Sequence, residues 1–236
     1  MAFETYKELK KAFLTDRPLL MQSMPLVSIG KTPEEHWNVR HFLPLPADTP
    51  FGNLYLKYNR IVMQLDRVNA LALRVSASYD AFKNNESGNA FEHIFLSEEI
   101  VYWLRKSADD LIALLHELHM RETTGIYPTR VEIDSIGGLL SQSAIPSYLE
   151  SHRDFLNVLN EISNASKHSF INSDITLFGR DEPCFFALAL KRNNLVNQPG
   201  FYSVSVRDIL ARYNEFFVSS RAQLQRCPIH HHSDKT

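Results

Sequence analysis

Apolar residues recur at steps of three and four through two long stretches of the chain. One stretch covers residues 50–84 and the other covers residues 97–121. This spacing puts the apolar side chains on one side of an α-helix, so the pattern predicts two long amphipathic helices. Thr49 and Pro50 open the first helix, and Ser97, followed by two glutamates, is the predicted N-cap of the second.

Shorter amphipathic stretches precede and follow this pair. They predict helices over residues 2–14, 131–140, 146–170 and 205–224. Two adjacent glycines weaken the helix over 131–140, whereas Ser205 is a good N-cap for the last helix.

Two regions do not follow the helical pattern. Six prolines interrupt residues 17–50, which still carry enough apolar residues to predict an ordered segment that wraps over the core. Residues 172–206 contain short runs of β-branched and aromatic residues separated by turn residues, which is typical of strands. The predicted strands of this β insertion lie at 174–178, 184–190 and 201–206.

The predicted fold class is therefore mainly α. We expect an antiparallel helical bundle with a small β-hairpin or three-stranded sheet before the last helix. A chain of 236 residues with 44% hydrophobic residues is large enough for one such core. The prediction is a single domain over residues 1–228, followed by a disordered tail over residues 229–236, whose polar residues have little to bury.

Charge and cysteine content limit the classes of function. The 25 basic and 27 acidic residues give a net charge of −2, without the basic surplus of a protein that coats nucleic acid. Cys184 and Cys227 are too few for a disulfide scaffold, and they indicate free thiols in a reducing compartment. The N-terminal residues do not resemble a secretory signal, and no apolar run approaches the roughly 18 residues of a membrane span. We expect a cytoplasmic protein without a membrane role.

No pattern in the sequence predicts a metal or a cofactor. His116 and His119 are three positions apart, whereas the zinc-protease helix places its two histidines four positions apart. No cluster of Cys or Asp offers a third ligand, and the glycines fit neither the dinucleotide nor the P-loop spacing. The histidines at 230–232 lie in the polar tail. We therefore expect neither a metal nor a cofactor.

A polar stripe follows one side of the predicted helix over 146–170. Its members fall within a narrow sector at 3.6 residues per turn: Glu150, Asn157, Glu161, Asn164 and His168. The opposite sector carries the apolar side chains that a bundle would bury: Tyr148, Phe155, Leu159 and Ile162. Asparagine is a mediocre helix former, so a stripe rich in Asn is a candidate site.

The long helix over 97–121 carries a second candidate. Tyr102, Arg105 and Asp109 lie in one sector, where they could face the polar stripe across the bundle. The alternative is a solvated flank, on which Arg105 and Asp109 form an ordinary ion pair at four-residue spacing.

The end of the stripe resembles the HEPN superfamily of helical-bundle proteins. Active ribonucleases of this family carry an Arg on one helix, often followed by Asn, and a His four to six residues later. Asn164 and His168 match this spacing, but Ser163 stands at the position of the Arg. The resemblance covers residues 163–168 and the order of the long helices. It implies a bundle of four or five helices, often a homodimer, and metal-independent RNA cleavage in the active members.

Three functions are consistent with these residues. The missing Arg favours a non-catalytic, HEPN-like binding or regulatory protein in defence or stress, because the cation that would stabilise a phosphorane is lost. A ribonuclease using His168, with Arg105 or Lys167 as the cation, is the first alternative; RNA or nucleotide as a partner has no support from the net charge. The second is a small-molecule pocket ringed by the trio on the long helix. The candidate binding residues are Tyr102, Arg105, Asp109, Asn157, Glu161, Asn164 and Lys167.

Overall fold

The computed structural model describes most of the chain from residue 52 to residue 226. The described residues are 39, 45, 49, 50, 52–84, 92–168, 182–190, 194, 196–198 and 200–226. The predictions for the helix over 2–14, the strand over 174–178 and the tail over 229–236 lie outside these residues. So does nearly all of the predicted wrap over 17–50.

Within the described residues the chain forms helices and one β-hairpin. The helices are α1 (Asn53–Lys83), α2 (Glu92–Thr124), α3 (Ile136–Leu140), α4 (Ser147–Glu150), α5 (Arg153–His168) and α6 (Val206–Arg226). The strands β1 (Cys184–Ala189) and β2 (Gly200–Ser205) pair antiparallel, with Cys184 opposite Ser205. The prediction of a mainly α fold with a β-hairpin directly before the last helix is confirmed.

Helices α1 and α2 form an antiparallel pair, which the order of their ion pairs shows. Lys57 near the start of α1 bonds Asp110 on α2, while Arg74 near the end of α1 bonds Glu92 at the start of α2. Their facing sides are apolar and buried. The buried residues include Ile61, Leu65, Val68, Leu71, Ile100, Leu104, Leu111 and Leu115. Helix α2 also contacts α3, α5, α6 and β1, so it is the central element of the described fold.

Helix α2 begins earlier than the sequence suggested. The predicted cap at Ser97 is wrong, because the helix already starts at Glu92. Ser97 is buried, and its hydroxyl donates to the carbonyl oxygen of His93 one turn back, at 2.7 Å. The buried hydroxyl of Ser97 therefore finds its hydrogen-bond partner within the helix, as serines in helix interiors often do.

The predicted helix over 146–170 is also wrong as one element. The chain turns at Ser151 and His152, so α4 ends at Glu150 and α5 begins at Arg153. The Arg153 guanidinium bridges the break by donating to both carboxylate oxygens of Glu150, at 2.8 and 3.1 Å. Glu150 consequently does not belong to the stripe that α5 carries.

The predicted helix over 131–140 is shorter than expected. Only Ile136–Leu140 is helical, and the Ser135 hydroxyl caps it by accepting from the amide of Gly138 at 3.2 Å. Helix α6 follows its prediction, since the Ser205 hydroxyl accepts from the amide of Asp208 at 3.3 Å.

One short part of the proline-rich region is described where it meets α1. The Asn69 side chain, buried on α1, accepts from the amide of Val39 at 2.6 Å and donates to its carbonyl oxygen at 3.2 Å. Both Val39 and Leu45 are buried in the core. At these two positions the chain therefore lies against the bundle.

Candidate functional site

The contact between α2 and α5 contains the Arg105 side chain. Only 9% of Arg105 is exposed, and its guanidinium forms an ion pair with Asp109 one turn further along α2. It also donates to the side-chain oxygen of Asn160 on α5, at 2.8 Å. Arg105 therefore contacts α5, but through Asn160, which lies beside the predicted stripe and is not one of its members.

Asp109 has a second partner besides Arg105. Its carboxylate accepts from the backbone amide of Ile136, at 2.7 Å, and so holds the start of α3. Burial raises the pKa of Asp109, although the Ile136 amide and Arg105 act against that increase. One carboxylate thus joins α3 to α2 and neutralises the buried cation.

The members of the polar stripe that the structure describes on α5 lie at or near the surface. Asn157 and Asn164 are exposed, and Glu161 is half-buried on the side of the hairpin. Burial raises the pKa of Tyr202 on β2, and the charge of Glu161 raises it further. His168 is the last residue of α5, and its side chain lies outside the described part of the structure. Its catalytic role stays a prediction.

Lys167, another predicted binding residue, lies over Tyr102. Its ammonium nitrogen is 4.9 Å from the centroid of the Tyr102 ring, which is a cation–π contact. Burial lowers the pKa of Lys167, and the positive charge of Arg105 lowers it further. The structure therefore brings two predicted residues together at the end of α5.

A groove of about 300 Å³ runs beside this contact, between α2 and α5. Two exposed aromatic residues on α2, Phe95 and Tyr102, are seven positions apart, which is about 10 Å along the helix. Glu99 is already engaged, because it accepts from Arg67 and from the indole of Trp103. The groove is lined by Phe95, Glu98, Glu99, Val101, Tyr102, Ser163, Ser166 and Lys167.

Sequence reasoning missed Phe95, Ser166 and Asn160. Phe95 precedes the predicted start of α2 at Ser97, so its place on the same side of the helix as Tyr102 was not recognised. Ser163 was noted only as the residue at the Arg position of the HEPN pattern. The structure places it in the wall of the groove, with 2% of its surface exposed.

A second buried polar cluster joins α1 to α2. The Asp110 carboxylate accepts from Lys57, Lys106 and Gln64, at 3.0, 3.1 and 2.9 Å. Burial alone would raise the pKa of Asp110, but these three hydrogen bonds together lower it below its usual value. Two of the partners are about fifty positions away in the sequence, so no local pattern predicts the cluster.

Histidines on α2 show no arrangement typical of a metal centre. The Nδ1 atom of His119 lies 3.9 Å from a carboxylate oxygen of Glu122. Among the residues that the structure describes, no three side chains of His, Cys, Asp or Glu form a group that could hold a metal ion. In the same part of the chain, no helix is long and apolar enough to cross a membrane.

No family model matches the chain, and no curated protein or solved structure is significantly similar to it.

Proposed function

We propose that the protein is a non-catalytic, HEPN-like binding protein whose recognition site is the groove between α2 and α5. The observation that carries this proposal is the state of Arg105, which is buried and paired with Asp109. A ribonuclease needs an accessible cation near the scissile phosphate, where charge develops during the reaction.

The other candidate cation, Lys167, is already engaged by a neighbouring ring. Ser163 stands where active HEPN proteins carry Arg, but its side chain is uncharged and buried in the groove wall. Lys167 packs over Tyr102, and its pKa is lowered by burial. These contacts favour binding over cleavage. They also disfavour a pocket ringed by the trio, because Tyr102 lines the groove while Arg105 and Asp109 do not.

The chemistry of the groove favours a protein partner over a nucleic acid. Phe95 is 63% exposed, and exposed aromatic side chains often contribute most of the affinity at protein interfaces. Glu98 and Glu99 lie in the same groove and would repel a phosphate backbone. A protein segment that inserts an apolar side chain between Phe95 and Tyr102 satisfies both features.

An RNA cleavage assay distinguishes binding from catalysis. The wild-type protein and His168→Ala are incubated with mixed single-stranded RNA in the presence of EDTA. We expect equal, background-level cleavage by both proteins. EDTA-resistant cleavage that disappears in His168→Ala would establish the ribonuclease and contradict the proposal.

A photo-crosslinking experiment tests the groove itself. A benzophenone amino acid replaces Phe95 in cells, and the control carries it at Leu73, an exposed apolar residue of α1. We expect one discrete protein adduct from position 95 that position 73 does not give. An adduct with a second copy of the chain would identify a homodimer. Adducts with RNA, or identical adducts from both positions, would overturn the assignment of the groove.

A further inference from the structure

A second cavity, of about 370 Å³, lies between α5, the hairpin and the start of α6. It is separate from the groove between α2 and α5, since the two share no lining residue. Its volume falls within the range of roughly 300–1,000 Å³ that is common for small-molecule sites. The apolar residues of its wall are Phe155, Val158, Leu159, Ile162, Val204 and Ile209.

Charged side chains of both signs stand at the edge of this cavity. Asp208 and Arg212 lie one turn apart on α6, and both line the cavity. Within the described part of the chain, Arg212 forms no hydrogen bond or ion pair, even with Asp208 four residues before it. The third charged residue, Glu182, has a weak contact with Arg207, at 3.7 Å.

We propose that this cavity binds a free α-amino acid with an apolar side chain. The Arg212 guanidinium matches the carboxylate, because arginine binds carboxylates through two parallel hydrogen bonds. The Asp208 carboxylate matches the ammonium group. The apolar wall accommodates the side chain, whose burial supplies the non-directional part of the affinity.

The charge balance favours a zwitterion over ligands that carry charge of one sign. A phosphate or another multivalent anion would meet two carboxylates, Glu182 and Asp208, and only one cation. A plain amine would leave Arg212 without a partner at the cavity, and a plain fatty acid would do the same to Asp208. A zwitterion is the ligand class that pairs both charges at once.

Calorimetric titration of the full chain tests this assignment with matched ligands. L-leucine and L-phenylalanine carry both charges, isoamylamine lacks the carboxylate, and 4-methylpentanoate lacks the amine. We expect measurable binding of the two amino acids and at least tenfold weaker binding of the other two compounds.

Variants locate the site. Arg212→Gln and Asp208→Asn alter exposed residues, and each removes the charged partner of one end of the amino acid, so each is expected to weaken amino-acid binding about tenfold or more. Arg130→Gln and Glu215→Gln are the controls, because both residues are exposed and outside the cavity. They should bind like the wild type.

Three results would overturn the proposal: no binding of either amino acid up to about millimolar concentration, equal affinity for a singly charged compound, or unchanged affinity in both cavity variants. The test is independent of the groove between α2 and α5. Phe95→Ala should leave amino-acid binding unchanged whatever the outcome of the crosslinking experiment.

Discussion

At the scale of single residues, two buried charges on α2 are paired. Arg105 contacts Asp109 and Asn160, and Asp110 contacts the exposed Lys106. Burying a charge is costly unless it is paired, and each of these contacts reduces that cost. Their main consequence is therefore structural, and it can be measured as stability.

Asp110→Asn should lower the free energy of unfolding by about 1.5–3 kcal/mol at neutral pH, because hydrogen bonds to a buried charged group are lost. The pKa of Asp110 is lower in the folded protein than in the unfolded chain. Its stabilisation is therefore present above the unfolded pKa of about 4 and is lost as the pH falls through the folded value.

Urea unfolding at a series of pH values measures this effect. The difference between wild type and Asp110→Asn should shrink below about pH 4. The matched control is Asp134→Asn, which alters an exposed carboxylate. A difference of the same size at every pH would show that the carboxylate charge is unimportant.

His93 differs from Asp110, because its burial favours the neutral form of the side chain, whereas the contacts of Asp110 favour the charged form. Its ring lies 5.3 Å from the ring of Tyr79 and 4.9 Å from that of Phe82, measured between centroids. Burial lowers its pKa from the usual value of 6.5. The contribution of neutral His93 to the free energy of unfolding is therefore complete above about pH 6.5. It is lost as the pH falls below that value, because the unfolded chain binds the proton more readily than the folded protein does.

His93→Phe should keep the aromatic packing and reduce this pH dependence. The change in slope is at most about 1.4 kcal/mol per pH unit, the limit for one group. Unfolding measurements between pH 5 and pH 7 follow it, with His119→Gln, which alters a half-exposed histidine of the same helix, as the control. A slope that is the same in His93→Phe and wild type would exclude His93 as its source.

At the scale of elements, periodicity predicted the helices well but not all of their ends. The apolar spacing of α1, α2 and α6 reflects the burial of one helix side, which a sequence records directly. Ser97 was mistaken for a cap because Ser followed by two Glu is typical of one, although the helical pattern continues upstream to Glu92. Periodicity does not reveal the break at Ser151, because Tyr148 of α4 packs against the same core in which α5 buries Phe155, Leu159 and Ile162.

The candidate site was only partly predictable for a related reason. Tyr102, Arg105 and Asp109 share a helix side, so the sequence placed them together. Asn160 is 55 positions from Arg105, and its contact depends on how α5 packs against α2. Local spacing carries no information about such packing, so the sequence selected the neighbouring stripe of α5.

Ser205→Ala should destabilise the start of α6, since its hydroxyl is the N-cap. We expect the free energy of unfolding to fall by about 1 kcal/mol, the usual value for losing a serine cap. Ser143→Ala changes an exposed serine in a turn and should have little effect. Thermal or urea unfolding compares the two, and equal stability of both variants would contradict the capping role.

At the scale of the whole molecule, the elements differ in how completely the rest of the fold surrounds them. Helix α2 contacts α1, α3, α5, α6 and β1, and most of its residues between Leu104 and Leu118 are buried. The short helices α3 and α4 lie beside exposed turns. Elements with many buried contacts open least often, so protection from hydrogen exchange should follow this order.

Native-state hydrogen exchange should therefore find the slowest amides in the middle of α2. Amides of α3, α4 and the turn between α4 and α5 should exchange much faster, because local opening exposes them without unfolding α2. Mass spectrometry of peptic peptides resolves these segments. Equal protection of α3 and the middle of α2 would show that the bundle opens as a single unit.

The small side chain at Ser163 has a consequence for the engineering of this protein. Ser163 forms part of the groove wall and is almost fully buried. A long guanidinium side chain there would occupy the space that the groove leaves open. Position 163 can therefore carry a small residue that keeps the groove open or a long cation that fills it, but not both.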